Sequence, residues 1–224
     1  MEVEAITETD TIRRPLGRPR AFNTDKALGA AMQVFWRKGY EGTSLSDLTA
    51  AMGVNRPSLY AAFGDKEALF REVLNRYAAG PAAYMQAALS APTARAAVER
   101  LLFGAVDLLT NPENPSMCLI AQGTLACGEE TDIIRREVSA RRQKGEGHLR
   151  VRLKRAVSEG ELPPDTDAAT LALYFATVAR GLGVSASSGA GREELLGVVQ
   201  IALRLWPGRS ASPQSIWKQE TGAS

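Results

Sequence analysis

Between Gly39 and Leu69 the chain carries helix-start and helix-stop signals so closely spaced that only a run of short helices satisfies them. Ser44 followed three residues later by Asp47 reads as a capping box, in which each residue bonds the other's free backbone N–H, opening a helix over 44–52. Gly53 supplies the positive φ of a tight turn. Asn55 then caps a helix over 55–62, with Pro57 tolerated in a first turn whose N–H groups have no intrahelical partner. Asp65 caps a fourth helix running through Leu69, Val73 and Tyr77. Upstream, Ala27, Leu28, Ala31, Met32, Val34 and Phe35 recur at helical spacing, with Asn23 or Thr24 as cap and Gly39 at the far end.

Strand signals are almost absent from the rest. Gly80-Pro81 kinks or interrupts the fourth helix, and the apolar pattern resumes to Leu89. Further helices are expected at 93–109, 115–127, 131–159, 166–186 and 192–206, and the Ser-, Pro- and Gly-rich tail from Pro207 is expected to be disordered. The fold class is all-α.

Composition narrows the function. Of 224 residues, 45% are hydrophobic and 23% charged, and no unbroken apolar run approaches the roughly 20 residues of a membrane span. Met1 to Asp10 is acidic without an apolar segment, which is not a secretory signal, so a cytoplasmic address is expected. Two cysteines, Cys118 and Cys127, are too few for a disulfide scaffold. One histidine, His148, and no Cys-x-x-Cys pair leave no zinc cluster and no expected cofactor. The net charge of +2 is unevenly divided: −4 over residues 1–12, +5 over 13–76 (11 Lys/Arg against 6 Asp/Glu) and +1 over 77–224. Basic charge concentrated in one small segment is the footprint of a phosphate-binding module.

Two short helices joined at Gly53 have the geometry of a helix-turn-helix, whose second helix lies in the DNA major groove with its N-terminal residues facing base edges. Those residues are Asn55, Arg56, Pro57 and Ser58. Arg56 can pair bidentately with guanine, and Asn55 or Ser58 can bond a base or a phosphate. Leu45, Leu48, Leu59 and Phe63 are the positions that would lock these helices onto the first. The whole string from Gly39 to Leu69, with its caps, turn glycine, Leu59-Tyr60 pair, Phe63 and Lys66-Glu67-x-Leu69, resembles the N-terminal signature of the TetR family of bacterial regulators, over about residues 21–80. The resemblance implies a three-helix DNA-binding domain over 21–80, joined by the fourth helix to a ligand-binding and dimerisation domain over 81–207, flanked by an arm (1–20) and a tail (208–224). It also implies phosphate contacts for Thr43, Tyr60 and Lys66, with Ser44 beside them. In the arm, Gly17-Arg18-Pro19-Arg20 reads either as a minor-groove hook using Arg18 and Arg20 or as a flexible basic leader.

The same resemblance implies a small-molecule effector in the second domain. Candidate pocket residues are Met85, Leu102, Phe103, Val106, Met117, Cys118, Gln122, Tyr174 and Phe175, although such residues at helical spacing serve equally as plain core. With Asn114 as cap and Pro115 at the first helical position, Cys118 falls one turn into a helix, whose positive end would favour the reactive thiolate. Some members of the family use a cysteine there as an electrophile or redox sensor; the alternative is a small buried hydrophobe. Leu171, Val178, Leu182, Leu195, Val199 and Leu203 form apolar stripes on the last two helices, and the final one is apolar around more than half its circumference. A homodimer on a palindromic double-stranded operator is the expected outlet. Two rivals fit less well. A Cys118 enzyme lacks a base, since His148 stands among arginines and lysines, and a DNA-coating protein has no need of a large apolar second half. The expected protein is a regulator of repressor type, and not an enzyme.

Overall fold

The computed structural model describes residues 23–122 and 132–208, and every regular element among them is helical. In chain order these are α1 (Thr24–Lys38), α2 (Leu45–Met52), α3 (Arg56–Phe63), α4 (Lys66–Ala79), α5 (Ala83–Leu89), α6 (Ala94–Thr110), α7 (Leu119–Gln122), α8 (Asp132–Ser158), α9 (Ala168–Ser187) and α10 (Arg192–Arg204). The starts of the first four are written in side chains. Asn23 accepts from Lys26 N at 2.9 Å, Ser44 from Asp47 N at 3.0 Å, Asn55 from Ser58 N at 2.9 Å and Asp65 from Ala68 N at 2.7 Å. Each satisfies a backbone donor that the first helical turn leaves without a partner. The Ser44–Asp47 box is complete, because Asp47 also accepts from Ser44 N at 3.0 Å. Gly53 ends α2 at φ 67°, ψ 34°, the left-handed region where a side chain would be strained.

Two apolar cores result. In the first, α1 and α4 clasp α2 and α3 through Phe35, Trp36, Leu48, Leu59, Leu69, Phe70, Val73, Leu74 and Tyr77, all at most 1% exposed. The Phe35 and Phe70 rings meet edge to face at 4.9 Å. This core continues into the second half of the chain, because Leu108, Leu119, Ile134 and Val138 pack into it. The second core joins α6, α8, α9 and α10 around Val98, Leu102, Val106, Leu153, Phe175, Leu182, Leu195 and Val199. Gly104 allows the close approach of α5 to α6: a Cβ there would lie 2.3 Å from Tyr84 Cδ2.

One expectation changes. A continuous helix over 115–127 is not what forms: residues 114–118 are irregular, and α7 begins only at Leu119. Asn114, the expected cap, bonds back toward α6, and Asn111 bonds within the same loop. Asn111 Oδ1 accepts from Glu113 N at 2.9 Å, and Asn114 Nδ2 donates to Leu108 O at 3.3 Å. Among the described residues α9 has the length and mean hydropathy (1.3) of a membrane span, but Thr170, Thr177 and Arg180 interrupt it, so it holds no unbroken apolar run of that length. It packs against α6, α8 and α10, as a core helix does. The other expected helices, 93–109, 131–159, 166–186 and 192–206, form within two residues of those bounds.

Candidate functional site

The N-terminal turn of α3 stands clear of the protein. Asn55, Arg56, Pro57, Ser58 and Tyr60 are all exposed, while Leu59 on the opposite face is fully buried and fixes the helix to its core. Arg56 Nη2 donates to Ser46 Oγ at 3.3 Å, a bond from α3 back to α2 that aims the guanidinium along the outer face. Sequence reasoning missed Ser46, because a pairing ten residues apart across a turn leaves no periodic trace. Asn55 and Ser44 prove to be committed to capping: the Asn55 side-chain oxygen is taken by Ser58 N, and the Ser44 hydroxyl donates to Asp47 Oδ2 at 2.8 Å. The two amide N–H groups of Asn55 remain for another partner.

Thr43 departs further from the expectation. Its side chain is 1% exposed and its hydroxyl donates to Gly39 O at 2.6 Å, so it ties the α1–α2 turn from inside instead of presenting a surface hydroxyl. Lys66, the first residue of α4, is half-buried with Nζ 4.4 Å above the Tyr40 ring. Burial lowers its pKa and the Glu41 carboxylate works the other way. Tyr40 was not a candidate; it holds this ammonium in place. Asp47 is held well below the usual carboxylate range, first by Lys38, whose Nζ lies 2.6 Å away, then by the backbone and hydroxyl of Ser44. Arg18, Arg20 and the rest of the arm, Cys127 and the tail lie outside the described residues.

A cavity of about 630 Å³ opens between the two cores. One wall comes from the end of α4 and its surroundings (Asn75, Ala78, Tyr84, Met85, Cys118, Ile120), the other from Leu101, Ala105, Leu109, Leu149, Ala176 and Ala179 of the second core. Its polar edge contains Glu137 and Arg141, joined at 2.8 Å, and Arg180 with Glu146, at 3.7 Å. Arg141 also donates to Asn75 Oδ1 of α4 at 2.9 Å. Of the pocket residues expected from sequence, Met85 and Cys118 line this space. Leu102, Val106 and Phe175 do not: they are buried in the second core. Phe103 faces outward at 38% exposure, Tyr174 packs edge to face on Phe175, and Met117 offers its backbone carbonyl to Trp36 Nε1. The side chain of Gln122 lies outside the described residues. Cys118 precedes the first helical residue of α7, Leu119, and so does not sit one turn into a helix; instead it accepts from the Tyr77 hydroxyl at 3.5 Å. The charged edge escaped notice because Glu137 and Arg141, four apart, read as an ordinary surface pair.

The apolar stripes of α9 and α10 are also redistributed. Leu182, Leu195, Val199 and Leu203 are buried within the chain, and Leu171 and Val178 pack against the same core. The face left open is a neighbouring one: Leu173 and Val184 on α9, Val198, Ile201 and Leu205 on α10 and at its end, each 47–64% exposed. The final helix is apolar around enough of its circumference for both faces, and periodicity alone does not say which one turns inward.

An exposed reading helix docked on a three-helix core, with a cavity-bearing helical half behind it, defines a helix-turn-helix transcription regulator. Residues 27–73 match the family of bacterial regulatory proteins of the tetR type, and residues 94–189 match the tetracyclin repressor-like C-terminal domain. This chain belongs to the TetR family. It is 34% identical over 205 residues to the HTH-type transcriptional repressor ComR of Escherichia coli, covering 91% of this chain and 98% of ComR. Among solved structures it resembles a cysteine mutant of the TetR-family regulator CifR in complex with 26-base-pair operator DNA: 46% identity, TM-score 0.81, 85% of this chain and 100% of that one. PfmR from Thermus thermophilus, of the same family, is 26% identical with TM-score 0.61, over 81% of this chain and 96% of that one.

Proposed function

We propose that this regulator is a repressor that binds a palindromic operator as a homodimer in the cytoplasm and responds to a small molecule held in the cavity. Residues 21–80 read DNA and residues 81–207 bind the effector and dimerise. Arg56 reads a base, while Tyr60 and Lys66 contact phosphates; Pro57 and Ser58 complete the face set against the groove. The observation that carries this reading is the position of the cavity. Asn75 and Ala78, which line it, belong to the helix that begins at Lys66, so a molecule filling it pushes on the element that carries the DNA-binding half. Its volume lies in the range of small-molecule sites. The open stripe from Leu173 to Leu205 is the surface a second copy would cover, setting two reading helices on one duplex. The similarity to the repressor ComR and to the operator-bound CifR supports repression by operator binding. Footprinting on DNA recovered by binding selection tests the reading.

A further inference from the structure

The geometry points to Trp36 as the residue through which the DNA-binding half senses the cavity: its indole N–H, held by the Met117 carbonyl, is a latch between α1 and the cavity wall. This rests on the effector-responsive reading above and adds the route by which occupancy is felt.

Trp36 is fully buried on α1, packed edge to face on Tyr77 at 4.9 Å. Its Nε1 donates to Met117 O, 81 residues away and in the other half of the chain. A buried indole N–H must find an acceptor, and leaving it without one costs free energy. The acceptor here is a loop carbonyl that precedes the first residue of α7. The next residue, Cys118, lines the cavity and accepts from the hydroxyl of the same Tyr77 on which Trp36 packs. Two contacts, one from α1 and one from α4, therefore converge on two consecutive residues of one loop. A group entering the cavity beside Cys118 displaces that loop and removes both partners together. α1 and α4 are the helices that hold α2 and α3, so loss of the latch reaches the reading helix through packed side chains without passing along α4 alone.

The test uses the full chain carrying Cys127→Ser, with N-ethylmaleimide as a covalent cavity filler at Cys118. The thiolate adds across the maleimide double bond: an S–C bond forms, the π bond breaks, and the neighbouring carbon takes the proton. Labelling is followed by mass, and affinity is measured on binding-selected duplex. Labelling is expected to weaken DNA binding about tenfold, within the span usual for coupled sites, and Trp36→Phe is expected to reduce that response to less than about threefold. In the protein that keeps Trp36, labelling should also move the indole N–H resonance of that residue, a readout that stands even if the Trp36→Phe variant does not fold. An equal response in the Trp36→Phe variant, or a weakened complex with an unmoved resonance, overturns the latch while leaving effector response intact. Labelling that leaves DNA affinity unchanged contradicts the effector reading itself.

Discussion

In the proposed reading, Arg56 is the side chain that discriminates sequence. It is exposed at the first turn of α3, and its bond to Ser46 Oγ limits the directions in which it can point. Arg56→Ala is expected to lose preference at one base pair of each half-site, at about 1–3 kcal/mol per lost bidentate contact. Binding selection with the variant measures this, and an unchanged preferred sequence would remove Arg56 from base reading. Asp47 acts one step further back. Its carboxylate completes the α2 cap, and its pKa in the folded chain is depressed, first by the bond to Lys38. A depressed folded pKa contributes stability that is present above the unfolded value, near 3.9, and is lost as pH falls through the folded one. Asp47→Asn should therefore lower the melting temperature at neutral pH, and the gap to the parent should close as pH drops below about 4. Thermal melts of the pair across pH decide it; a gap that does not vary with pH would mean the carboxylate charge plays no part.

At the scale of elements, legibility depended on whether the signal was local. The Ser44–Asp47 box, Gly53, Asn55 and Asp65 are each complete within a few residues, so α2, α3 and the start of α4 could be placed from sequence. The irregular stretch 114–118 could not, because what holds it open includes a bond from Trp36, far away in the chain. A proline after an asparagine looks like a helix start until the partners of both asparagines are known. The same limit explains the pocket. Met85 and Cys118 were found, but Leu102, Val106 and Phe175 are apolar residues at the same helical spacing that pack into the second core, and it takes the packing of α5, which carries Tyr84 and Met85, onto α6 to set the cavity wall. That packing depends on Gly104. Gly104→Ala would drive a methyl group into the Tyr84 ring, and should destabilise the chain by about 1–3 kcal/mol while distorting the cavity. Denaturant melts give the stability change; a variant as stable as the parent would mean that Tyr84 moves aside freely.

In the whole molecule, two nearby residues of α10 would separate folding from the proposed assembly. Leu203 is 8% exposed within a single chain and Ile201 is 61% exposed. Leu203→Glu buries an unpaired carboxylate in the core and should abolish folding. Ile201→Glu places its charge on the open face: the chain should keep its helical circular dichroism, sediment as a monomer, and lose operator affinity with the second reading helix. A dimeric Ile201→Glu protein would put the interface elsewhere.

The most direct measurement of the central claim is a nuclease footprint of the full chain on DNA recovered by binding selection. Two exposed reading helices related by a twofold axis predict one discrete protected segment, made of two half-sites in inverted repeat. Uniform protection along the duplex, or a protected site without dyad symmetry, would contradict it.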